Sequence, residues 1–354
     1  MAVHLPILSN SSLKTFRRCA REYQLRYERG LVPVGEGALP LRFGSLLHKG
    51  LEAWWLARYS GDDAQADSAL SIALEAVWAA NVGPDAIDAH ELVRLEEMLS
   101  GYDARWWAEP YEIVGVEPEF RAPLRNPLTG ASSRTWQLAG KLDALVLRDG
   151  RAFLVEHKST SEDLGAGSSY WQRLLLDPQV STYYVGADAL GHTVEGCVYD
   201  VVRKPQVRPG RATPLEARKW TKDGKLYANQ RLEDETPAEF RVRVREAITE
   251  DGDRYYRRGE VVRLEEEEAD FAFDAWGLGR SIAEARAASR FPRNPDACER
   301  FGRMCAYFDV CTRVASTDDP TRFAVRAWPH SELTQPPASD AVEMLNPSTV
   351  HAEA

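Results

Sequence analysis

The sequence lacks the marks of several protein classes. It has no apolar run of about 18 residues that would span a membrane and no leader of the secretory type, so a cytoplasmic protein with no membrane partner is expected. Only five of its 354 residues are cysteine, which argues against a disulfide framework in such a chain. No two of them lie two to four residues apart, the spacing that structural zinc sites usually use. There is no G-x-x-x-x-G-K-[ST] phosphate loop, so the chain cannot itself couple ATP to unwinding, and no internal repeat is visible. A net charge of −10 argues against a general nucleic-acid coat protein, although an enzyme needs only a local basic groove.

What the sequence does hold is enough apolar material for a substantial core, with ten tryptophans and 44% hydrophobic residues. Its most informative stretch is "LVLRDGRAFLVEHK", Leu145 to Lys158. Asp149-Gly150 between apolar, β-branched and aromatic runs predicts a two-residue type I′ hairpin turn, because both central positions of that turn need positive φ. The register follows: Arg148 faces Arg151, Val146 faces Phe153, Ala144 faces Val155, and Asp143 faces Glu156. Leu145, Leu147 and Leu154 on one face and Val146, Phe153 and Val155 on the other predict a sheet covered on both sides.

Directly opposed carboxylates repel unless something sits between them. Lys158 returns to the face of Glu156 two residues on. A hard divalent cation held by oxygen ligands, with an ammonium beside it, suits that arrangement, and the backbone carbonyl of His157 offers a further ligand. The competing reading is an edge hairpin with solvated charges.

Asp143, twelve intervening residues and then Glu156-His157-Lys158 resembles the active site of the PD-(D/E)XK nuclease superfamily, specifically its RecB-like branch. "FGSLLHKGLEAWW" reads as a helix with His48, Leu51 and Trp55 on one side, similar to the helix from which RecB-like nucleases project a metal-binding histidine. In "LLLDPQVSTYYVGADALG", Asp177 is a candidate N-cap and Pro178 stands at the first helical position, which puts Gln179 and Tyr183 one turn apart. That Gln-x-x-x-Tyr pattern resembles the family's fourth motif. Glu117 or Glu119, on the strand-like "YEIVGVEPEF", is a candidate for a further acidic residue near the site, with a solvated strand glutamate as the alternative.

Cys298, Cys305 and Cys311, with six and five residues between them, and the distant Cys19 resemble the iron–sulfur staple of AddB-type and CRISPR-associated RecB-like nucleases. The six-residue first spacing departs from the two often found there. Four thiolates at irregular spacing suit a [4Fe-4S] cluster, with zinc or buried free thiols as the alternatives. Cys197 is expected in the core.

From Arg203 to Lys225 eight basic residues stand against two acidic ones. Arg203, Lys204, Arg218, Lys219 and Trp220 are the candidate DNA-binding residues, Trp220 by base stacking; a solvated surface loop is the alternative. The run Glu265 to Glu268 suits the first turn of a helix.

The expected elements are helices over 11–29, 41–59, within 67–108, 178–190 and 266–288, and strands over 113–121, 137–148, 151–158 and 193–203. The resemblance implies an α/β, restriction-endonuclease-like mixed central sheet flanked by helices, its N- and C-terminal segments joined by the cluster. The expected nuclease domain covers 1–315 with a basic insert at about 203–260, and 316–354 is expected to be a largely disordered tail with one short docking segment near Phe323 to Trp328.

The resemblance further implies Mg2+ or Mn2+ held by His48, Asp143, Glu156 and the His157 carbonyl, with Lys158, Gln179 and Tyr183 assisting. It implies a DNA exonuclease acting on single strands or duplex ends in recombination, repair or phage DNA metabolism, any helicase or recombinase being a separate partner. A non-catalytic DNA-end-binding or assembly subunit, and an endonuclease, remain as alternatives.

Overall fold

The computed structural model describes residues 5–335 except 35–38, 110 and 301. Strand β1 (Ile7–Leu8) leads into α1 (Asn10–Arg18), whose start is set by a capping box between Ser9 and Ser12. The expected single helix over 11–29 is interrupted. Cys19 adopts an extended backbone, φ −158° and ψ 111°, and the chain resumes as α2 (Ala20–Tyr23) and a π-helical turn, Gln24–Glu28.

Strand β2 (Leu31–Pro33) precedes α3 (Leu39–Tyr59). The helical stretch expected within 67–108 resolves into α5 (Ala69–Ala80) and α6 (Ala89–Trp106), preceded by an unexpected short α4 (Asp63–Asp67); Asp62 caps α4 and Asp88 caps α6. Then come β3 (Glu112–Val116), β4 (Glu119–Arg125), β5 (Ser132–Lys141), β6 (Ala144–Arg148) and β7 (Arg151–Thr160).

Helices α7 (Ser169–Leu174) and α8 (Pro178–Ala189) cross over to β8 (Gly196–Arg203). The insert carries α9 (Pro237–Glu250), and α10 (Gly252–Tyr255) leads into β9 (Tyr256–Val261) and α11 (Glu265–Ala287). The last elements are short: β10 (Glu299–Arg300), β11 (Arg303–Met304), α12 (Phe308–Cys311) and β12 (Phe323–Val325).

The central sheet is mixed, ordered β3-β6-β7-β8-β9, with β7 and β8 parallel and its other pairs antiparallel. The β6–β7 ladder runs from Ala144↔Val155 to Arg148↔Arg151, and Asp149 (φ 53°) and Gly150 (φ 74°) both take the positive values of a type I′ turn. A second sheet, β1-β5-β4, diverges from it.

That divergence explains two departures from expectation. The strand expected over 113–121 breaks between β3 and β4 at Glu117, which has φ 56°. The strand expected over 137–148 breaks between β5 and β6, where the Leu142 N–H donates to the Pro118 carbonyl (3.1 Å) and the Glu117 N–H donates to the Asp143 carbonyl (3.0 Å). The two breaks brace each other, and Asp143 is left at the fork.

Both faces of the central sheet are covered. Ala144, Val146, Phe153, Val155, Val198 and Val202 pack with α3, α5, α6 and α9, while Leu145, Leu154, Cys197, Tyr199 and Val201 pack with α1, α8 and α11. Each large apolar side chain so buried contributes roughly 1.5–3 kcal/mol. Cys197 is fully buried in this core. The approach of α6 to β9 requires a glycine, because a Cβ on Gly101 would collide with the Tyr256 hydroxyl.

Strand β12 pairs antiparallel with β2, and beyond it His330 and Leu333 are buried. Of the expected tail, residues 336–354 lie outside the described residues, while 316–335 are described and include β12. No helix among the described residues is long and apolar enough to cross a membrane.

Candidate active site

The side-chain alternation of β7 decides which residues meet at the fork. Glu156 and Lys158 share the face of Leu154, toward α8, whereas His157 points to the opposite face. Asp143 closes the open edge of β7, its Oδ2 accepting the His157 N–H at 2.8 Å. Helix α8 begins at Asp177, which accepts the Gln179 N–H at 3.0 Å, with Pro178 in the first turn.

Gln179 thereby reaches into the site. Its Nε2 donates to Glu156 Oε1 (2.7 Å) and to the Tyr183 hydroxyl (2.8 Å), and its Oε1 accepts from Lys158 Nζ (2.9 Å). Lys158 Nζ also donates to Glu156 Oε1. From α3, His48 Nδ1 lies 3.9 Å from Asp143 Oδ2, with the imidazole 38% exposed. The structure thus brings Asp143, Glu156, Lys158, Gln179, Tyr183 and His48 together.

Burial sets the electrostatics. Desolvation and the nearby Asp143 charge push Glu156 up to about 7 against the pull of Lys158. Burial alone would lower Lys158, but Glu156, Asp143 and Asp177 outweigh it and hold the ammonium above its ordinary value. Desolvation lowers His48, against the opposing effect of Asp143. The Tyr183 hydroxyl favours ionised Glu156, yet Glu156 Oε2 is buried with no hydrogen bond reaching it.

A buried carboxylate oxygen without a donor, beside a second carboxylate and a neutral-prone imidazole, fits a hard divalent cation by donor chemistry. Among the described residues no three His, Cys, Asp or Glu side chains are already arranged as a ligand set.

Of the two candidate glutamates, Glu117 is at the fork and pairs with Lys141. Glu119 instead accepts from the Thr334 N–H (2.7 Å) and hydroxyl (2.6 Å). The His157 imidazole, of which only the backbone carbonyl figured in the sequence reading, is 3.5 Å from Asp200. Asp200 accepts from Tyr102 and Arg258, and Tyr102 accepts from Trp55 Nε1 at 3.0 Å. This buried network ties α3, the bearer of His48, to β7 and β8. Its one sequence signal is an aspartate inside the apolar run "CVYDVV".

Cys19, Cys298, Cys305 and Cys311 are free and partly exposed. Burial raises Cys311, and the neighbouring Cys19 and Cys298 thiols act in the same direction. The Arg21 N–H donates to the Pro292 carbonyl (3.0 Å) and Asn294 Nδ2 to the Arg18 carbonyl (2.9 Å), so the α1–α2 break lies against the cysteine segment. Burial pushes Cys305 up to about 11. Thiols suit soft-metal ligation by donor type, but among the described residues no three of these cysteines are arranged as a ligand set.

The candidate DNA-binding residues separate into two groups. Arg203 lies 3.8 Å from Asp163, Lys204 pairs with Glu91 (2.6 Å) over the Phe43 ring, and Arg218 donates to the Thr213 and Leu232 carbonyls. Lys219 and Trp220 are exposed.

Comparison with known proteins follows the same line. A model of the PD-(D/E)XK nuclease superfamily matches residues 7–312. No curated protein matches the chain. Among solved structures, "Crystal structure of SSO0001" is similar at 12% identity, with 84% of each chain covered and a TM-score of 0.31, a likeness too slight to bear on fold or function.

Proposed function

The chain belongs to the PD-(D/E)XK nuclease superfamily, and from that premise we propose that it is a RecB-like DNA exonuclease that hydrolyses phosphodiester bonds of single strands or duplex ends. Nucleases of this superfamily typically use Mg2+ or Mn2+. Asp143, Glu156, His48 and the His157 carbonyl would hold the ion, which supplies a Lewis acid and lowers the pKa of bound water.

The chain's own residues do the positioning. Lys158, held protonated between Glu156 and Gln179, offers a fixed ammonium where negative charge develops on phosphate. Gln179 donates both to Glu156 Oε1 and to the Tyr183 hydroxyl, so Glu156 Oε2 is the carboxylate oxygen that would be available to an ion. Supporting this reading above all is the buried, unpartnered Glu156 Oε2 beside the Asp143 carboxylate and the His48 imidazole.

The four cysteines are proposed to hold a [4Fe-4S] cluster that staples α1 to the C-terminal segment. A place in recombination, repair or phage DNA metabolism, beside a separate helicase or recombinase, belongs to the same proposal.

The test is degradation of end-labelled single- and double-stranded DNA, linear and circular, with Mg2+ or Mn2+, by wild type and Glu156→Ala side by side. Linear DNA is expected to be degraded and circles spared, with the variant at least about a thousandfold slower. A wild type that binds ends and cuts nothing rejects the enzyme in favour of an assembly subunit, and cut circles make it an endonuclease.

A further inference from the structure

One part of the insert presents aromatic rings to solvent on a rigid support. In the finger Lys219 to Tyr227, Trp220 is 53% and Tyr227 49% exposed. The chain reverses through Thr221–Lys225, where the Thr221 N–H donates to the Lys225 carbonyl (2.8 Å) and the Tyr227 N–H to the Lys219 carbonyl (3.1 Å), with Gly224 at φ 72°. Trp220 bridges Leu226. This register puts Trp220 on one face, and Tyr227 with Lys219 and Lys225 on the other.

A lone two-stranded ribbon is marginal in water, so the base of the finger must be held. Gln230 Oε1 accepts the Lys219 N–H (2.7 Å) while its Nε2 donates to the Ala217 carbonyl (2.9 Å). Arg218 donates to Thr213 and Leu232, and the Thr213 N–H donates to the Arg231 carbonyl (2.8 Å). Below them Glu235, 2% exposed, accepts from the Gly210 N–H and from Arg243. None of these contacts uses the rings of Trp220 or Tyr227.

The charge of the finger opposes that of the chain. Residues 218–227 carry four cations and one carboxylate in a protein of net charge −10. No ion pair engages the ammonium groups of Lys219, Lys222 or Lys225 among the described residues.

We infer that this finger is a docking site for single-stranded nucleic acid, bases stacking on Trp220 and Tyr227 while Lys219, Lys222 and Lys225 meet the phosphates. Exposed indole and phenol faces beside lysines match unstacked bases on a polyanionic backbone. A duplex offers the same phosphates but keeps its base faces covered. The inference deepens the nuclease reading by naming the strand form that is gripped, and it rests on that reading for the choice of nucleic acid over another polyanion.

The test is fluorescence anisotropy of the full chain with a labelled DNA strand of about 20 nucleotides and with the corresponding duplex, in EDTA across a salt series. Trp220→Ala is expected to weaken strand binding about 5- to 100-fold while changing duplex binding little, and Trp220→Phe to restore much of the loss. Replacing the three lysines by glutamine is expected to lower the log–log salt slope by about two. Unchanged strand binding in Trp220→Ala, equal weakening of strand and duplex, or polyglutamate binding as tight and as dependent on Trp220 as the strand, each overturns the inference. Because EDTA removes catalysis from the measurement, strand binding that depends on Trp220 in a chain that cuts nothing upholds the finger and rejects the nuclease reading alone.

Discussion

Asp200 and Glu156 lie on neighbouring strands of one sheet, and their surroundings drive them in opposite directions. Both are desolvated, which disfavours charge. Arg258, His157 and Tyr102 more than compensate at Asp200 and hold it well below the usual carboxylate range, whereas Asp143 adds to the cost at Glu156. Asp200 thus contributes to stability, while Glu156 is kept costly in a way that a cation relieves. Replacing Asp200 by alanine leaves the 10%-exposed Arg258 side chain without its central partner. We expect Asp200→Ala to lose about 3–5 kcal/mol, measured by urea unfolding in EDTA; a loss under about 1 kcal/mol would show the network to be dispensable.

At the level of elements, helix caps and turns do the positioning. Asp177 caps α8 and accepts from Lys14 Nζ at 2.8 Å, so α1 is tied to the helix that delivers Gln179. The other end of α1 is held by the segment after β12. Glu332 Oε1 accepts from Ser9 Oγ (2.7 Å) and Ser11 Oγ (2.9 Å), and Ser9 is the cap of α1. A carboxylate at a helix N-terminus is favourable. Although burial alone would raise Glu332, His330 and Ser9 bring it down to about 2 from an ordinary 4.5. A depressed carboxyl pKa stabilises above the unfolded value and loses that contribution as pH falls through the folded one. Segment 328–334 is therefore expected to stay docked at pH 5 and above and to come loose between about pH 4.5 and 2, read by hydrogen exchange. Glu332→Gln is expected to flatten that dependence and to weaken protection at pH 7. Unchanged protection down to pH 2 in the wild type would remove the carboxylate from the explanation.

Distant parts of the chain meet at several places, two of which bear on the proposed chemistry. One is the fork between the two sheets, which holds Asp143 against β7. The other is the α1–α2 break at Cys19, which lies against Pro292 and Asn294 just ahead of Cys298. A thiol with its pKa near 11 must lose its proton to bind metal, so loading is expected to release protons. Anaerobically purified protein is expected to carry about four irons and four sulfides per chain. Cys19→Ser should lower both the iron content and the melting temperature, while Cys197→Ser should leave the iron in place. Stoichiometric zinc without sulfide, or metal-free protein of undiminished stability, would reject the iron–sulfur assignment.

The chain determined by itself those features whose geometry is local. Asp149-Gly150 fixes the β6–β7 register because only one two-residue turn suits it, and Asp177-Pro178 fixes the phase of α8 and so the pairing of Gln179 with Tyr183. The expected opposition of Asp143 and Glu156 is replaced at the fork, where the ladder ends at Ala144↔Val155 and Asp143 accepts the His157 N–H. Only the tertiary structure decided the split into two sheets, since a non-glycine residue at φ 56° and a crossing at Leu142 leave no mark in composition. It alone decided which of Glu117 and Glu119 stands at the fork, because one extra residue at the break changes which face a side chain takes. The partners of His157, and which insert cations are spent inside the fold, were equally beyond local reading. Asp200, Tyr102 and Arg258 come from three separate elements, and their charges and hydrogen bonds acquire meaning only when packing excludes water from between them.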